Sequence, residues 1–384
     1  MRIGIDVRCL MEGTRTGVEE YTIGVLKKLF ETDKDNEYIL FLNSFKKIEG
    51  DLSWLEKYPN VETKNYGFPN KLFNLLVWFF GWPKIDMLLG GVDVFFAPNI
   101  LFISVSKKCR FVLTVHDLSF ERFGHFFSTK RKLWHFILNP RSLCERADKI
   151  LAVSKSTKND LVSVYGIKKE KIDVVHPIHN IEQFQNGSLN GQSIFSLVKR
   201  YGLPEDFILF LGTIEPRKNI SSLIKAFERL KEVCSEAKNV KLVIAGSLGW
   251  SYEEIIQAAK DNSFKDEVLF TGFVDDKDKP HLYKLARFLI YPSFFEGFGF
   301  PPVEAMASGI PVITSNCSSM PEVAGEGAIL VDPYRPHEMM LAMKELLEDP
   351  ELYEHFCKQG TKRAQQLLEI SQSENILKHL VEIK

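Results

Sequence analysis

No stretch of the 384 residues holds 18 apolar residues in a row, so no transmembrane helix is expected. No apolar leader precedes the opening strand pattern Met1-Arg-Ile-Gly-Ile-Asp6, and the expected location is the cytoplasm. Cysteine is sparse: Cys9, Cys109, Cys144, Cys234, Cys317 and Cys357 show no CxxC or CxH spacing. That argues against zinc and disulfide frameworks and for reduced thiols in or near the core. No GxGxxG occurs, so a dinucleotide fingerprint is missing. Neither sign of charge dominates, at a net −1. The halves differ: residues 1–190 carry 27 Lys+Arg against 22 Asp+Glu, and residues 191–384 carry 22 against 28. A basic half suits an anionic partner such as a membrane surface or a phosphorylated acceptor. The excess is too small to argue for nucleic acid.

What is present is an ordinary globular composition, 45% apolar and 26% charged, in a chain long enough for two domains. In the first half, the apolar runs Arg2–Val7, Tyr38–Leu42, Val92–Ala97, Arg110–Val115, Lys149–Val153 and Ile172–Val175 predict strands. Helical spacing separates them over Val18–Phe30 and after Ser154, a candidate N-cap. The pattern restarts with strands at Phe207–Leu211, Val240–Ala245, Val268–Thr271, Phe288–Tyr291, Val312–Thr314 and Ala328–Val331. An amphipathic helix is expected over Ile220–Val233, and helices over Pro336–Leu347, Pro350–Leu368 and Ser371–Ile383. The fold class is therefore α/β, with mostly parallel sheets covered on both faces. The Gly/Ser/Asn-rich stretch Gln185–Ser193 is the linker candidate. The expected domains are residues 1–185 and 199–370 around a linker at 186–198, with a final helix at 371–384.

Chemistry concentrates where strands end. The stretch Ile290–Gly309 starts as a strand, breaks at Gly297 and Gly299, and resumes as a helix marked by Pro301 and Pro302. Glu296 and Glu304 bracket the break. A glycine turn into a helix offers N–H groups to a phosphate, and the acids can hold sugar hydroxyls. Two carboxylates can also be a glycosidase pair, but phosphate-binding features nearby argue against simple hydrolysis. One such feature follows Phe207–Leu211: Gly212-Thr-Ile-Glu-Pro-Arg-Lys-Asn219 puts Arg217 and Lys218 at a helix start, with Asn219 as its cap. Cations are unfavourable there unless an anion joins them, and a diphosphate would do so. His116-Asp117 ends another strand and is a candidate for hydrogen bonding to substrate. The loop Gly13-Thr-Arg-Thr-Gly17 precedes a helix and could approach a phosphate. Asp276-Lys-Asp278 matches a metal-diphosphate DxD pattern but reads as solvated surface.

One segment breaks the soluble pattern. Leu72–Trp82 is an aromatic apolar run of 11 residues between Lys71 and Lys84, too short to span a bilayer. It reads as a helix buried in the N-terminal half or as a partly exposed face that touches lipid or a lipid-linked acceptor. Lys130-Arg-Lys-Leu-Trp134 is a second basic-aromatic patch, read as a solvated helix start or as part of the same face.

In order and spacing, these motifs resemble retaining glycosyltransferases of the GT-B fold, group 1 or family 4 type, and most of all bacterial mannosyltransferases. The resemblance rests on Glu296 to Glu304 in Pro-Ser-Phe-Phe-Glu-Gly-Phe-Gly-Phe-Pro-Pro-Val-Glu, on Gly212–Asn219, on Phe270-Thr-Gly-Phe-Val274 and on Val331-Asp-Pro333. More loosely it includes Gly4–Arg8, Thr16–Val18 and Val115–Asp117. It implies two Rossmann-like domains facing a central cleft, with the C-terminal helix crossing back to the first. It implies that Glu304 holds the ribose, that Glu296 contacts the donor sugar and that Arg217 and Lys218 stabilise the departing diphosphate. His116 would contact the transferred sugar. Gly17, Gly212, Thr213, Val274, Phe298, Gly299 and Phe300 would complete the donor site. The implied reaction is metal-independent transfer of a hexose, with retention, from a nucleotide sugar and without a cofactor. GDP-mannose is the expected donor, with UDP-glucose and UDP-GlcNAc as alternatives. The expected acceptor is a saccharide or lipid-linked species, with peripheral contact to an anionic membrane. A phosphorylase, an epimerase or an inactive scaffold subunit is the rival reading.

Overall fold

The structure is a computed structural model that describes residues 1–13, 16–124, 128–177, 181–186, 191–373 and 376–382. It divides into two compact units. One comprises Met1–Gly124, Ser128–His179 and Ser371–Lys384, as far as these are described, and the other Asn180–Ile370.

The first unit holds a seven-stranded parallel sheet: β1 (Arg2–Asp6), β2 (Glu37–Leu42), β3 (Val61–Asn65), β4 (Val94–Ala97), β5 (Arg110–Val115), β6 (Lys149–Ala152) and β7 (Ile172–Val174). Their order is β3-β2-β1-β4-β5-β6-β7. The central strands are apolar because both faces are covered: every residue of β4 is buried, as are five of six in β5. β3, with the sequence VETKN and no buried residue, has no apolar pattern to betray it and was not expected from the sequence. As a polar edge strand it presents charge to solvent, which discourages edge pairing. Ser154 caps the helix Lys155–Tyr165 as expected, its hydroxyl accepting from the Thr157 N–H at 3.1 Å.

The second unit holds β8 (Phe207–Leu211), β9 (Lys241–Ala245), β10 (Val268–Gly272), β11 (Leu289–Tyr291), β12 (Val312–Ser315) and β13 (Ile329–Val331). All pairings are parallel, in the order β10-β9-β8-β11-β12-β13. The order reverses between β8 and β11, and loops at the carboxyl ends of such a pair flank the ligand crevice of open α/β sheets. In the first unit the reversal lies between β1 and β4.

Two segment boundaries differ from the sequence expectation. The units divide near residue 180, not at a linker over 186–198. Glu182–Asn186 and Gly191–Tyr201 are helices, and residues 187–190 of the expected linker lie outside the described residues. Both helices belong to the second unit. Phe184 packs its ring against Tyr283 at 5.9 Å, and the Tyr201 hydroxyl donates to Asp278 at 2.8 Å. At the other end, the helix Pro350–Ser373 runs past Leu368, and the last described helix is Ile376–Val381. Lys28 Nζ donates to the Ser371 carbonyl at 2.7 Å, and Arg110 donates to the Val381 carbonyl at 3.1 Å. His379 Nδ1 lies 2.9 Å from Asp173.

Gly246 follows β9 with φ +143°, and a Cβ there would lie 2.0 Å from the Gly212 carbonyl oxygen. The loops after β8 and β9 approach this closely because Gly212 N–H donates to the Ala245 carbonyl at 2.9 Å. Gly246→Ala is expected to lower stability by roughly 3 kcal/mol or more through overpacking and backbone strain. Chemical denaturation of the two proteins measures it.

Candidate active site

The loop leaving β8 tightens into a 3-10 turn, Pro216–Lys218, before the helix Ile220–Val233. Arg217 and Lys218 thus sit just outside a helix N-terminus, as the sequence indicated. Their counter-anion, however, is the protein's own. Lys218 Nζ lies 2.5 Å from Glu296 Oε1, and Arg217 Nη1 lies 3.0 Å from Glu296 Oε2. Arg217 also donates to the Phe295 carbonyl at 2.6 Å and to Glu215 at 2.7 Å. Tyr291, at the end of β11, accepts from Lys218 at 2.5 Å and donates to Glu296 at 3.0 Å. Lys218, Glu215, Glu296 and Tyr291 are all buried. The sequence argument that the cations await an anion is therefore corrected: Glu215 and Glu296 already fill that role.

Asn219 does not cap the helix with its side chain. It adopts φ +61°, and its amide donates instead to the carbonyls of Pro292 at 3.1 Å and Pro333 at 2.7 Å. It ties the loop after β8 to those after β11 and β13. Ser318 and Ser319 hold Glu296 from behind: Ser318 Oγ accepts the Glu296 N–H at 3.1 Å, and Ser319 Oγ donates to its carbonyl at 3.0 Å.

Glu304 lies on the helix Phe300–Ala307, which begins with Pro301 and Pro302 in its first turn. Glu304 is the fifth residue, beyond the first turn, so the stabilisation an acid gains at a helix start does not account for it. It is buried and accepts from the buried Tyr283 hydroxyl at 2.7 Å. Gly299 precedes this helix with φ +98°, a conformation costly for other residues. Phe298 and Phe300 place their rings 5.7 Å apart around it. Gly212 and Thr213 stand at the exit of β8, Thr213 exposed. Val274 is buried, and its neighbour Phe273 is 57% exposed.

The remaining two candidates belong to the first unit. His116, at the end of β5, places Nε2 2.8 Å from the Pro98 carbonyl, and its ring meets Tyr21 edge-on at 4.9 Å. A carbonyl only accepts, so the Nε2 carries the proton and Nδ1 is the acceptor. Burial holds the imidazole below its usual value, which favours this neutral form. Gly17 opens the helix Gly17–Thr32, where a capping box already uses Thr16 and Glu19. Residues 14–15 of its loop lie outside the described residues.

The six cysteines are unpaired thiols. The Asp276-Lys-Asp278 acids are held in ion pairs rather than simply solvated. Asp276 lies 2.6 Å from Lys279, and Asp278 lies 2.7 Å from Arg200. Among the described residues Cys234, Glu236 and Glu348 bring ligand atoms within 4.8 Å of one another. Burial raises the Cys234 thiol, which keeps it protonated and a poor ligand.

The family model described as "Glycosyl transferases group 1" matches residues 198–363, and that described as "Glycosyltransferase Family 4" matches residues 17–183. The chain belongs to the group 1 and family 4 glycosyltransferases. This glycosyltransferase is similar to O-antigen chain mannosyltransferase B of Escherichia coli, at 26% identity over 91% of this chain and 92% of that one. It is also similar to O-antigen chain mannosyltransferase RfbU of Salmonella typhimurium, at 31% identity over 64% of this chain and 63% of that one. Its fold is that of GT-B structures. The crystal structure of Anabaena Alr3699/HepE in complex with UDP and glucose superposes with a TM-score of 0.73, at 18% identity over 99% of each chain.

Electrostatics single out Glu296 in this glycosyltransferase. Burial alone would raise its carboxyl, but the charges of Arg217 and Lys218 bring it down from 4.5 to about 2. Burial pushes the Lys218 ammonium down, against the pull of Glu296. A carboxyl depressed in the folded state stabilises above its unfolded value and loses that contribution as pH falls through the folded one. Wild-type stability is therefore expected to fall between pH 4.5 and 2 by about 3 kcal/mol more than that of Glu296→Gln. Thermal unfolding of both proteins across this range measures the difference.

Proposed function

We propose that this glycosyltransferase moves mannose from GDP-mannose, with retention of configuration, onto a saccharide or lipid-linked acceptor. The observation that carries the reading is the buried carboxylate of Glu296 shared by Lys218 at 2.5 Å and Arg217 at 3.0 Å. Two preorganised cations in a dry site suit a leaving diphosphate, because charge attraction is strong there and costs little reorganisation. In the proposed reaction the C1–O bond to the diphosphate breaks and its electron pair leaves with the phosphate. Arg217 and Lys218 take up that charge. The acceptor oxygen bonds C1 on the same face, and its proton passes to the departing phosphate oxygen. Glu296, held at about 2 by its two cations, is too weak a base to take that proton near neutral pH. Its part is to hold the cations and to meet hydroxyls of the donor sugar.

Glu304 is proposed to hold the ribose hydroxyls, oriented by Tyr283. His116 is proposed to meet a hydroxyl of the transferred sugar through Nδ1. The choice of mannose rests on the two relatives named as mannosyltransferases. The cationic pair does the work that a metal does in other transferases, so no metal or other cofactor is proposed. Tyr283→Phe removes the hydroxyl that orients Glu304 and is expected to weaken nucleotide binding about tenfold, with kcat nearly unchanged. Steady-state kinetics over a donor series would show this split.

The test is transfer from radiolabelled GDP-mannose, UDP-glucose and UDP-GlcNAc, with and without EDTA, and NMR assignment of the product anomer. Transfer from GDP-mannose in EDTA to an α-linked product is the expected result. Transfer from a UDP-sugar alone, or an inverted product, would overturn the donor or the stereochemistry.

A further inference from the structure

We propose that the first unit docks on an anionic membrane through an aromatic face built by the helices Asn70–Phe80 and Thr129–Leu138. The apolar run Leu72–Trp82 is not a buried helix. Only Phe73 and Val77 of its helix are buried, while Leu75, Phe79, Phe80 and Trp82 are 48%, 63%, 74% and 55% exposed. On the helix Thr129–Leu138 only Leu138 is buried, and Leu133 and Phe136 are 58% and 81% exposed. The two helices share one surface. Trp78 and Phe136 line the same groove of about 700 Å³, with Val77, Phe102 and Ile137. The Trp134 ring meets Phe102 at 6.1 Å. A patch of exposed aromatic rings on this scale marks an interaction surface.

Charge decides the partner. Residues 70–84 contain Lys71 and Lys84, and residues 128–144 contain Lys130, Arg131, Lys132 and Arg141; neither segment contains an Asp or Glu. Glu121 does line the groove, but its carboxylate accepts from the Tyr165 hydroxyl at 2.8 Å. Arg141 is paired with Glu145 at 3.0 Å and Lys84 donates to Ser104 at 2.9 Å, so the cations counted beside exposed Phe, Trp and Leu are Lys71, Lys130, Arg131 and Lys132. They match an anionic lipid surface, where rings enter the interface and cations meet headgroups. The helix of 11 residues is about 16 Å long, too short to cross a bilayer, so it lies along the surface. The proposal does not depend on which donor the second unit binds.

The experiment is flotation of the full chain with vesicles of phosphatidylcholine alone or mixed with phosphatidylglycerol. Flotation with the anionic vesicles, reduced by high salt, is expected. Lys130→Glu/Arg131→Glu/Lys132→Glu is expected to weaken it roughly a hundredfold, and Phe79→Ser/Phe80→Ser to abolish it at moderate salt. GDP binding by both variants is expected to stay at the wild-type level, so loss of flotation is separable from loss of the donor site. Absence of flotation with anionic vesicles, or equal flotation of wild type and both variants, would overturn the proposal. So would self-association abolished by Phe79→Ser/Phe80→Ser without vesicle binding, which would make the face a contact between copies.

Discussion

Lys218→Met is expected to lower kcat/KM for sugar transfer by about 10²–10³-fold, equal to roughly 2.7–4 kcal/mol of transition-state stabilisation. The substitution keeps the length and apolar stem of the side chain and removes only its charge. That charge lies 2.5 Å from Glu296 and from the Tyr291 hydroxyl, in a buried pocket where each interaction is little screened. Lys218→Arg is expected not to rescue the rate, because a planar guanidinium does not fit where a compact ammonium meets both oxygens at 2.5 Å. Steady-state kinetics on the three proteins provides the check. A Lys218→Met enzyme within threefold of wild type would remove Lys218 from the transfer step.

Glu296→Ala is expected to destabilise the second unit strongly. It strips the shared counter-charge from Lys218 and from one side of Arg217, and leaving a buried charge without its partner costs about 3–5 kcal/mol. Arg217 keeps Glu215 at 2.7 Å, whereas Lys218 keeps the neutral Tyr291 hydroxyl, so most of the loss is assigned to Lys218. Two comparisons separate stability from function. Glu296→Ala combined with Lys218→Met is expected to recover much of the stability, because both buried charges then leave together. Glu296→Gln retains the volume and an accepting oxygen, so it is expected to fold at neutral pH and still to transfer sugar poorly. Denaturation and kinetics on the same preparations test both. If Glu296→Ala unfolds like wild type, the ion-pair network does not hold the loops after β8 and β11 together.

The constellation was legible in the sequence because its charged members sit at strand ends, where α/β folds place ligands. Arg217, Lys218 and Glu296 were identified as residues, and the structure joins them. Their arrangement was not legible. Lys218 reaches Tyr291 and Glu296 across 73 and 78 residues of sequence, and no local pattern specifies such a pairing. Tyr291 looked like the end of an apolar strand, although a buried Tyr hydroxyl needs a partner, and that need was the available signal. Glu215 lay inside the quoted loop without a role until its carboxylate was found against Arg217. All six strands of the second sheet were readable: β8, β9, β11 and β12 are apolar runs covered on both faces, and the partly exposed edge strands β10 and β13 keep short apolar runs. The polar edge strand Val61–Asn65 was not. The aromatic run at Leu72 could not reveal its orientation, because an almost wholly apolar stretch has no polar face to mark the solvent side.

Calorimetric titration of wild type and Lys218→Met with GDP and UDP most directly tests whether the loops after β8 and β11 hold a nucleoside diphosphate. Wild type is expected to bind GDP with a measurable enthalpy, and Lys218→Met at least tenfold more weakly. The absence of binding to either nucleotide, or an unchanged affinity in Lys218→Met, would contradict the account.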